Sequence, residues 1–183
     1  MGIEEGVIAV IPIGSVVEMA PKVVAAHITS LLKINARVAA PLAHPQYALD
    51  RRRLQYDAAL ILKAMEKCLA PGDEKAIGVV AVDLFVPIFS FVFGEAHLGG
   101  SCAVVSTWRL ERNQPGLTVS PALVLERTAK VALHELGHLY RLPHCSDPGC
   151  LMHFAGDLDH LDRTPLFFCR YCNAFWQNQL WRY

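Results

Sequence analysis

The 183-residue chain has no excess of charge of either sign, because seventeen Lys and Arg balance seventeen Asp and Glu. No stretch gathers the cations into a patch that could follow a phosphate backbone, so nucleic acid is not an expected partner. The chain also lacks the unbroken apolar run of roughly 20 residues that a bilayer span requires. Its richest apolar region, 76–93, is interrupted by Asp83, Pro87 and Ser90 and reads as strands, and no membrane association is expected. Glu4 and Glu5 stand where a secretory signal would carry Lys or Arg, and Pro12 and Gly14 break the short apolar run behind them. A mature cytoplasmic protein is the expectation. There is no repeat at a solenoid or propeller period and no low-complexity segment. What the chain does have is apolar content, 53% of its residues, enough for one compact domain over 1–183.

Periodicity gives the element order. Residues 7–13 form a β-branched run closed by Gly14, and 16–32 show helical spacing through Val16, Met19, Val23, Val24, Ile28 and Leu32. A weak strand at 37–40 ends at Pro41. After the polar turn 50–53, a helix over 54–69 stops at Pro71, Gly72 and Asp73. Three further strands are expected at 77–86, 89–93 (continuing toward Leu98) and 102–110, with Gly99 and Gly100 turning the last two. Strands alternating with helices and then following one another imply a mixed sheet, of α/β (α+β) class.

Ser120 and Pro121 are an N-cap and first-turn pair for a long helix reaching Tyr140. On it lies His134-Glu135-Leu136-Gly137-His138. Four residues is just over one turn, so the two imidazoles share a face and can grip one zinc ion. Glu135, one position on, is displaced from the metal yet placed to act as general base toward a water held there. A zinc hydrolase uses three protein ligands and an open fourth position. His144 follows His138 by six residues, and Pro143 forces the chain out of helix near Arg141 so that it can fold back. Of the six cysteines, Cys68 and Cys102 stand alone, whereas Cys145, Cys150, Cys169 and Cys172 fall as two pairs in the last 39 residues. Without an oxidising context, metal binding, catalysis and burial all stay open for them.

The segment from His134 to His144 resembles the extended zinc signature of the metzincin metallopeptidases. Cys145 directly after the third histidine, then Cys150, Met152, Cys169 and Cys172, resembles one branch of them, the archaemetzincins. The resemblance implies a twisted mixed sheet with an antiparallel edge strand over a long active-site helix. It adds a small zinc-pinned helical subdomain at 142–183, after an N-terminal subdomain at 1–141. It further implies two zinc ions per chain: a catalytic one on His134, His138 and His144 with Glu135 as base, and a structural one closed by the four late cysteines. Met152 would be the methionine of the turn beneath the zinc imidazoles, supporting them without touching the metal. The edge strand that holds an extended substrate is sought at 89–98. The activity implied is hydrolysis of peptide bonds in a peptide or small protein by a monomer. The alternative is a catalytically weak or inactive zinc protein that acts as a peptide-binding or scaffold module. Two departures stand out. Arg141 occupies the position of the signature's glycine, which predicts a strained left-handed turn costing about 1–3 kcal/mol. Sixteen residues separate Met152 from Cys169, one fewer than the branch's pattern.

Overall fold

The computed structural model describes residues 6–112 and 119–180. Strand β1 (Val7–Ile13) leads into helix α1 (Met19–His27), which runs on as one wide π turn over Ile28–Leu32 and ends at Lys33 with φ 59°. Strand β2 (Ala36–Val38) follows. Short strands β3 (Leu49–Asp50) and β4 (Gln55–Asp57) precede helix α2 (Ala58–Glu66). Then come β5 (Asp73–Val80), β6 (Leu84–Phe85), β7 (Gly94–Ala96) and β8 (Cys102–Ser106). Helices α3 (Pro121–Leu139), α4 (Leu158–Arg163) and α5 (Arg170–Leu180) complete the order.

The main sheet has the order β2-β1-β5-β8-β7; β7 alone is antiparallel to its neighbour and forms an edge. Side chains alternate across it. Ile8, Val10, Ile77, Val79, Ala103 and Val105 face α1 and α3, while Ala9, Ile11, Ala76 and Val104 face α2 with Ile61, Leu62 and Met65. Leu142, Leu151, Met152, Leu161 and Trp176 join the first of these cores, so the segment after α3 packs on the same apolar mass as α1 and the sheet. Among the described residues, no helix is long and apolar enough to cross a membrane.

Several boundaries differ from the periodic reading, each for a local chemical reason. Helix α1 starts at Met19 rather than Val16, with Pro21 in the first turn, where a missing N–H costs nothing. Helix α2 starts at Ala58 rather than Leu54: Leu54 takes φ 54°, and the Asp57 carboxylate caps the helix by accepting from Ala59 N at 2.9 Å. The expected strand 77–86 splits, because Asp83 leaves β5 to take a two-pronged bond from Arg109 at 2.6 and 2.7 Å. The expected 89–93 strand is instead a turn with one bridge at Val92. Its carbonyls at Phe89 and Ser90 accept from Arg53, and the antiparallel edge falls at Gly94–Ala96. The last strand stops at Ser106, whose hydroxyl donates to Val82 O and accepts from Trp108 N. Helix α4 was not expected; Asp157 caps it through His160 N at 2.8 Å.

Candidate metal centre

Helix α3 begins as the sequence predicts, with Ser120 Oγ accepting from Leu123 N at 3.2 Å and Pro121 in its first turn. It carries His134 and His138 to the floor of a cleft of about 510 Å³ beneath β7. The Nδ1–H of His134 donates to Leu151 O at 2.8 Å and that of His138 to Leu142 O at 2.7 Å. A carbonyl can only accept, so both tautomers are fixed and each Nε2 presents a lone pair. These two nitrogens lie 3.1 Å apart. With no proton to share, that approach is repulsive unless a cation stands between them. A tetrahedral zinc with bonds of roughly 2.0–2.1 Å brings two nitrogens to about 3.3 Å.

The third imidazole arrives by the predicted route. The N–H of Leu142 donates to Gly137 O and that of Arg141 to His138 O, both at 2.9 Å, which is a Schellman ending with Arg141 at the left-handed position. Arg141 indeed takes φ 66°. The turn delivers His144, whose ring centroid lies 5.2 Å from that of His134 and 4.8 Å from that of His138. One ligand atom from each of the three lies within 4.8 Å of the others. Burial holds all three imidazoles below their ordinary pKa, His134 down to about 3, which keeps them neutral and able to bind a metal.

Glu135 is buried in the same cleft. Burial, with the nearby Glu95 carboxylate second, pushes its acid well above the usual range. The space it occupies exists because residue 94 is a glycine: a Cβ there would stand 2.8 Å from Glu135 Cγ and 2.9 Å from Oε1. Met152 is fully buried under the same helix, and a Cβ on Gly137 would meet its sulfur at 2.4 Å. Its carbonyl accepts from Cys145 N at 2.8 Å, tying the methionine turn to the strand segment after His144.

Cys145, Cys150, Cys169 and Cys172 converge with their sulfurs within 4.8 Å of one another, and all are free thiols. Cys145 and Cys169 are 3.8 Å apart, far beyond a disulfide bond of about 2.05 Å and close to the sulfur separation of a tetrahedral zinc with bonds of about 2.3 Å. Cys169 N donates to Cys150 Sγ at 3.3 Å. Burial raises the Cys150 and Cys172 thiols, whereas the Cys172 N–H, foremost, lowers that of Cys169. A soft divalent cation is the group such buried sulfurs accommodate as thiolates.

The three histidines and the four late cysteines singled out from the sequence therefore converge in two clusters, with Glu135 in the cleft of the first and Met152 beneath its helix. Residues that periodicity did not reveal are also present. Glu95 reaches Glu135 electrostatically from the edge strand. His153, which the sequence left without a role, lines the cleft and donates Nδ1–H to Cys145 O at 3.0 Å. Arg127 and Lys130 on α3 clamp α4: the guanidinium bonds both Asp162 oxygens at 2.7 Å, and the ammonium bonds the Leu161 and Asp162 carbonyls. Only helical spacing on α3 hinted at the last two, since their partners lie some 30 residues away.

Comparison with known proteins agrees with this geometry. Residues 42–178 match the model of peptidase family M54. The archaemetzincin of Methanopyrus kandleri is 38% identical over 138 residues, 75% of each chain, and that of Archaeoglobus fulgidus is 39% identical over 120 residues, 66% of this chain and 68% of the relative. The crystal structure of the Methanopyrus kandleri archaemetzincin aligns with a TM-score of 0.85 at 31% identity, over 98% of this chain and 97% of that one. That of the Archaeoglobus fulgidus archaemetzincin complexed with malonate gives 0.78 at 32%, over 92% and 99%. By the chain length matched, the identity and the shared fold, this protein belongs to peptidase family M54, the archaemetzincins, and is a zinc metallopeptidase.

Proposed function

We propose that His134, His138 and His144 hold a catalytic zinc, that Glu135 is the general base, and that the protein hydrolyses peptide bonds of a peptide or small protein. Cys145, Cys150, Cys169 and Cys172 hold a second, structural zinc. The observation that carries the reading is the pair of Nε2 nitrogens 3.1 Å apart, both tautomers fixed by carbonyls, beside a buried carboxylate. Bound there, zinc would supply Lewis acidity toward a carbonyl oxygen and bring the pKa of a coordinated water to about 7. The chain's own residues do the rest. The Leu151 and Leu142 carbonyls fix the two ring orientations, and Met152 packs beneath them. Glu135, made basic by burial, takes the proton of the attacking water at a carboxylate oxygen and passes it to the leaving amine. An extended substrate adds to the free edge of β7, where main-chain pairing is independent of sequence.

The alternative of a non-catalytic zinc scaffold drew its support from Arg141 in a glycine position; with φ 66° that arginine makes the same turn, and the support lapses. The test is metal analysis with turnover. Protein purified without added metal should carry two zinc per chain, and Glu135→Gln should keep both while losing at least about 100-fold in kcat. A variant that digests a peptide library at the parent rate would remove Glu135 from the mechanism, and one zinc per chain would remove the second site.

A further inference from the structure

The end of helix α3 carries a cation that the metal site does not use. Arg141 takes φ 66°, a backbone conformation that favours glycine, and its side chain is exposed. Two N–H groups converge on one acceptor there. Arg141 N donates to His138 O at 2.9 Å, and Gly99 N donates to the same oxygen at 2.8 Å. Helix end and β7–β8 turn are thereby pinned side by side. Gly99 has no side chain, and Arg141 fills the room this leaves: a Cβ on residue 99 would stand 2.9 Å from Arg141 Cζ and 3.1 Å from Nε. The guanidinium is laid against the turn and still meets water. Its place is the rim of the cleft, since Leu98, next to Gly99, and Pro143, two residues after Arg141, both line it.

A second cation stands behind it. Lys75 is 8% exposed; its ammonium donates to Gly100 O at 3.2 Å in the same turn and lies 4.9 Å from the centroid of the Tyr140 ring. Burial, foremost, lowers the pKa of Lys75; the Glu74 carboxylate opposes that, and the Arg141 charge adds to it. Two like charges thus stand close enough to repel. Among the described residues, neither is ion-paired with a carboxylate. A left-handed side chain and a like-charge pair are both costs, and an incoming carboxylate offsets the second.

The edge strand says what brings a carboxylate there. Ser106 N donates to Phe93 O at 2.8 Å, which fixes the ladder between β7 and β8. Alternation then turns the peptide groups of residues 93 and 95 toward β8 and those of Gly94 and Ala96 toward the free edge. A chain pairing antiparallel on that edge enters at the Leu98 end and runs toward Gly94, which lies over Glu135. Its residues before the scissile bond therefore pass Arg141. Glu95, a half-buried carboxylate between the two ends, opposes an acid nearer the metal.

Resting on the peptidase reading, we infer that Arg141, backed by Lys75, binds an acidic side chain of the substrate, aspartate or glutamate, about two to four extended residues before the scissile bond. The test pairs turnover with binding. Peptides that differ only by Glu, Gln or Lys at each of four positions before the bond and two after it are assayed for kcat/KM. Peptidyl hydroxamates, whose residues all lie on the N-terminal side of the zinc-binding group, are titrated calorimetrically into zinc-loaded protein with the same substitutions. At one position before the bond Glu should exceed Lys by about 10-fold, attraction and repulsion each giving about threefold for a rim charge, with Gln between. The ratio should narrow as salt is raised, fall below about threefold in Arg141→Gly and reverse in Arg141→Glu, with zinc content unchanged. The reversal is a readout that a merely structural role of the arginine would not move. A parent ratio below about threefold, one that survives Arg141→Gly, or one confined to positions after the bond would overturn the assignment. A Glu preference in binding that depends on Arg141, without cleavage of any peptide, would leave the rim standing and sink the peptidase reading. Cleavage with no Glu preference would do the reverse, and neither binding nor cleavage would sink both.

Discussion

Replacing Gly137 by alanine sets two known effects against each other at the centre of the metal site. In a helix interior the change is favourable by about 1 kcal/mol, because glycine surrenders more backbone entropy than alanine. Here the new methyl carbon would stand 2.4 Å from Met152 Sδ, whereas an ordinary contact is about 3.5–4.0 Å, so the sulfur has to withdraw by more than about 1 Å. Met152 is fully buried, and its carbonyl is tied to Cys145 N, so it has no solvent to retreat into. Overpacking of this kind costs about 1–3 kcal/mol, which outweighs the helix gain and leaves a net loss of about 1 kcal/mol. For a chain of this size the melting temperature should fall by about 2–4 °C. The displacement also reaches the metal, because Leu151, next to Met152, supplies the carbonyl that orients His134. Zinc affinity of the histidine site, measured by chelator competition, should weaken by about 10-fold, the usual cost of disturbing a ligand's supporting bond. The double variant with Met152→Ala should be destabilised by less than the sum of the single changes. A Gly137→Ala protein that melts higher than the parent and binds zinc as tightly would show that the methionine does not bear on the helix, and the argument for Met152 as the floor of the site would fail.

Two further outcomes follow from the turn and from α4. Arg141→Gly removes a left-handed side chain at φ 66° but also its packing over Gly99, and should raise stability by about 1 kcal/mol with zinc stoichiometry unchanged; a lower melting temperature would mean that the contact with the β7–β8 turn outweighs the strain. Asp162→Asn leaves the buried Arg127 guanidinium without its charged partner and should cost about 3 kcal/mol near neutral pH. The hydrogen bond from Arg127, foremost, lowers the Asp162 carboxyl below its ordinary value of 3.8 in the folded state. Its contribution is thus fully present above that value and is lost as the pH falls through the lower folded pKa. Denaturation of parent and variant should differ by a constant amount from about pH 5 to 8, and the difference should begin to shrink only as the pH falls below about 4. A gap that does not narrow at all as the pH is lowered below about 4 would show that the ion pair is not its source.

The two candidate metal clusters were legible in the sequence because the side chains that form them announce themselves locally. A four-residue spacing fixes His134 and His138 on one helix face whatever surrounds them, and Pro143 forces the exit that brings His144 back. Ser120 with Pro121 marked the start of α3, and the paired cysteines marked their own site. The edge strand was anticipated within 89–98, but only Gly94–Ala96 of that span pairs with β8, and the alternating phenylalanines before it do not. Alternation records which side chains share a face. It does not record that Arg53 and Gln55, 35 or so residues earlier, would claim the carbonyls of Phe89 and Ser90.

The sequence by itself determined the chemistry available, three imidazoles, one carboxylate and four thiols at spacings that helices and turns can honour. Tertiary structure alone decided the environment in which they act. Gly94 opens the room that Glu135 occupies, Glu95 adds to its basicity from a neighbouring strand, Leu151 and Leu142 lend their carbonyls to the rings, and Phe89 comes to face Phe154. Ligand spacing is a property of the local backbone, carried by hydrogen bonds a few residues long. Desolvation and ring stacking depend on groups distant in the chain, whose meeting is fixed only when the core closes.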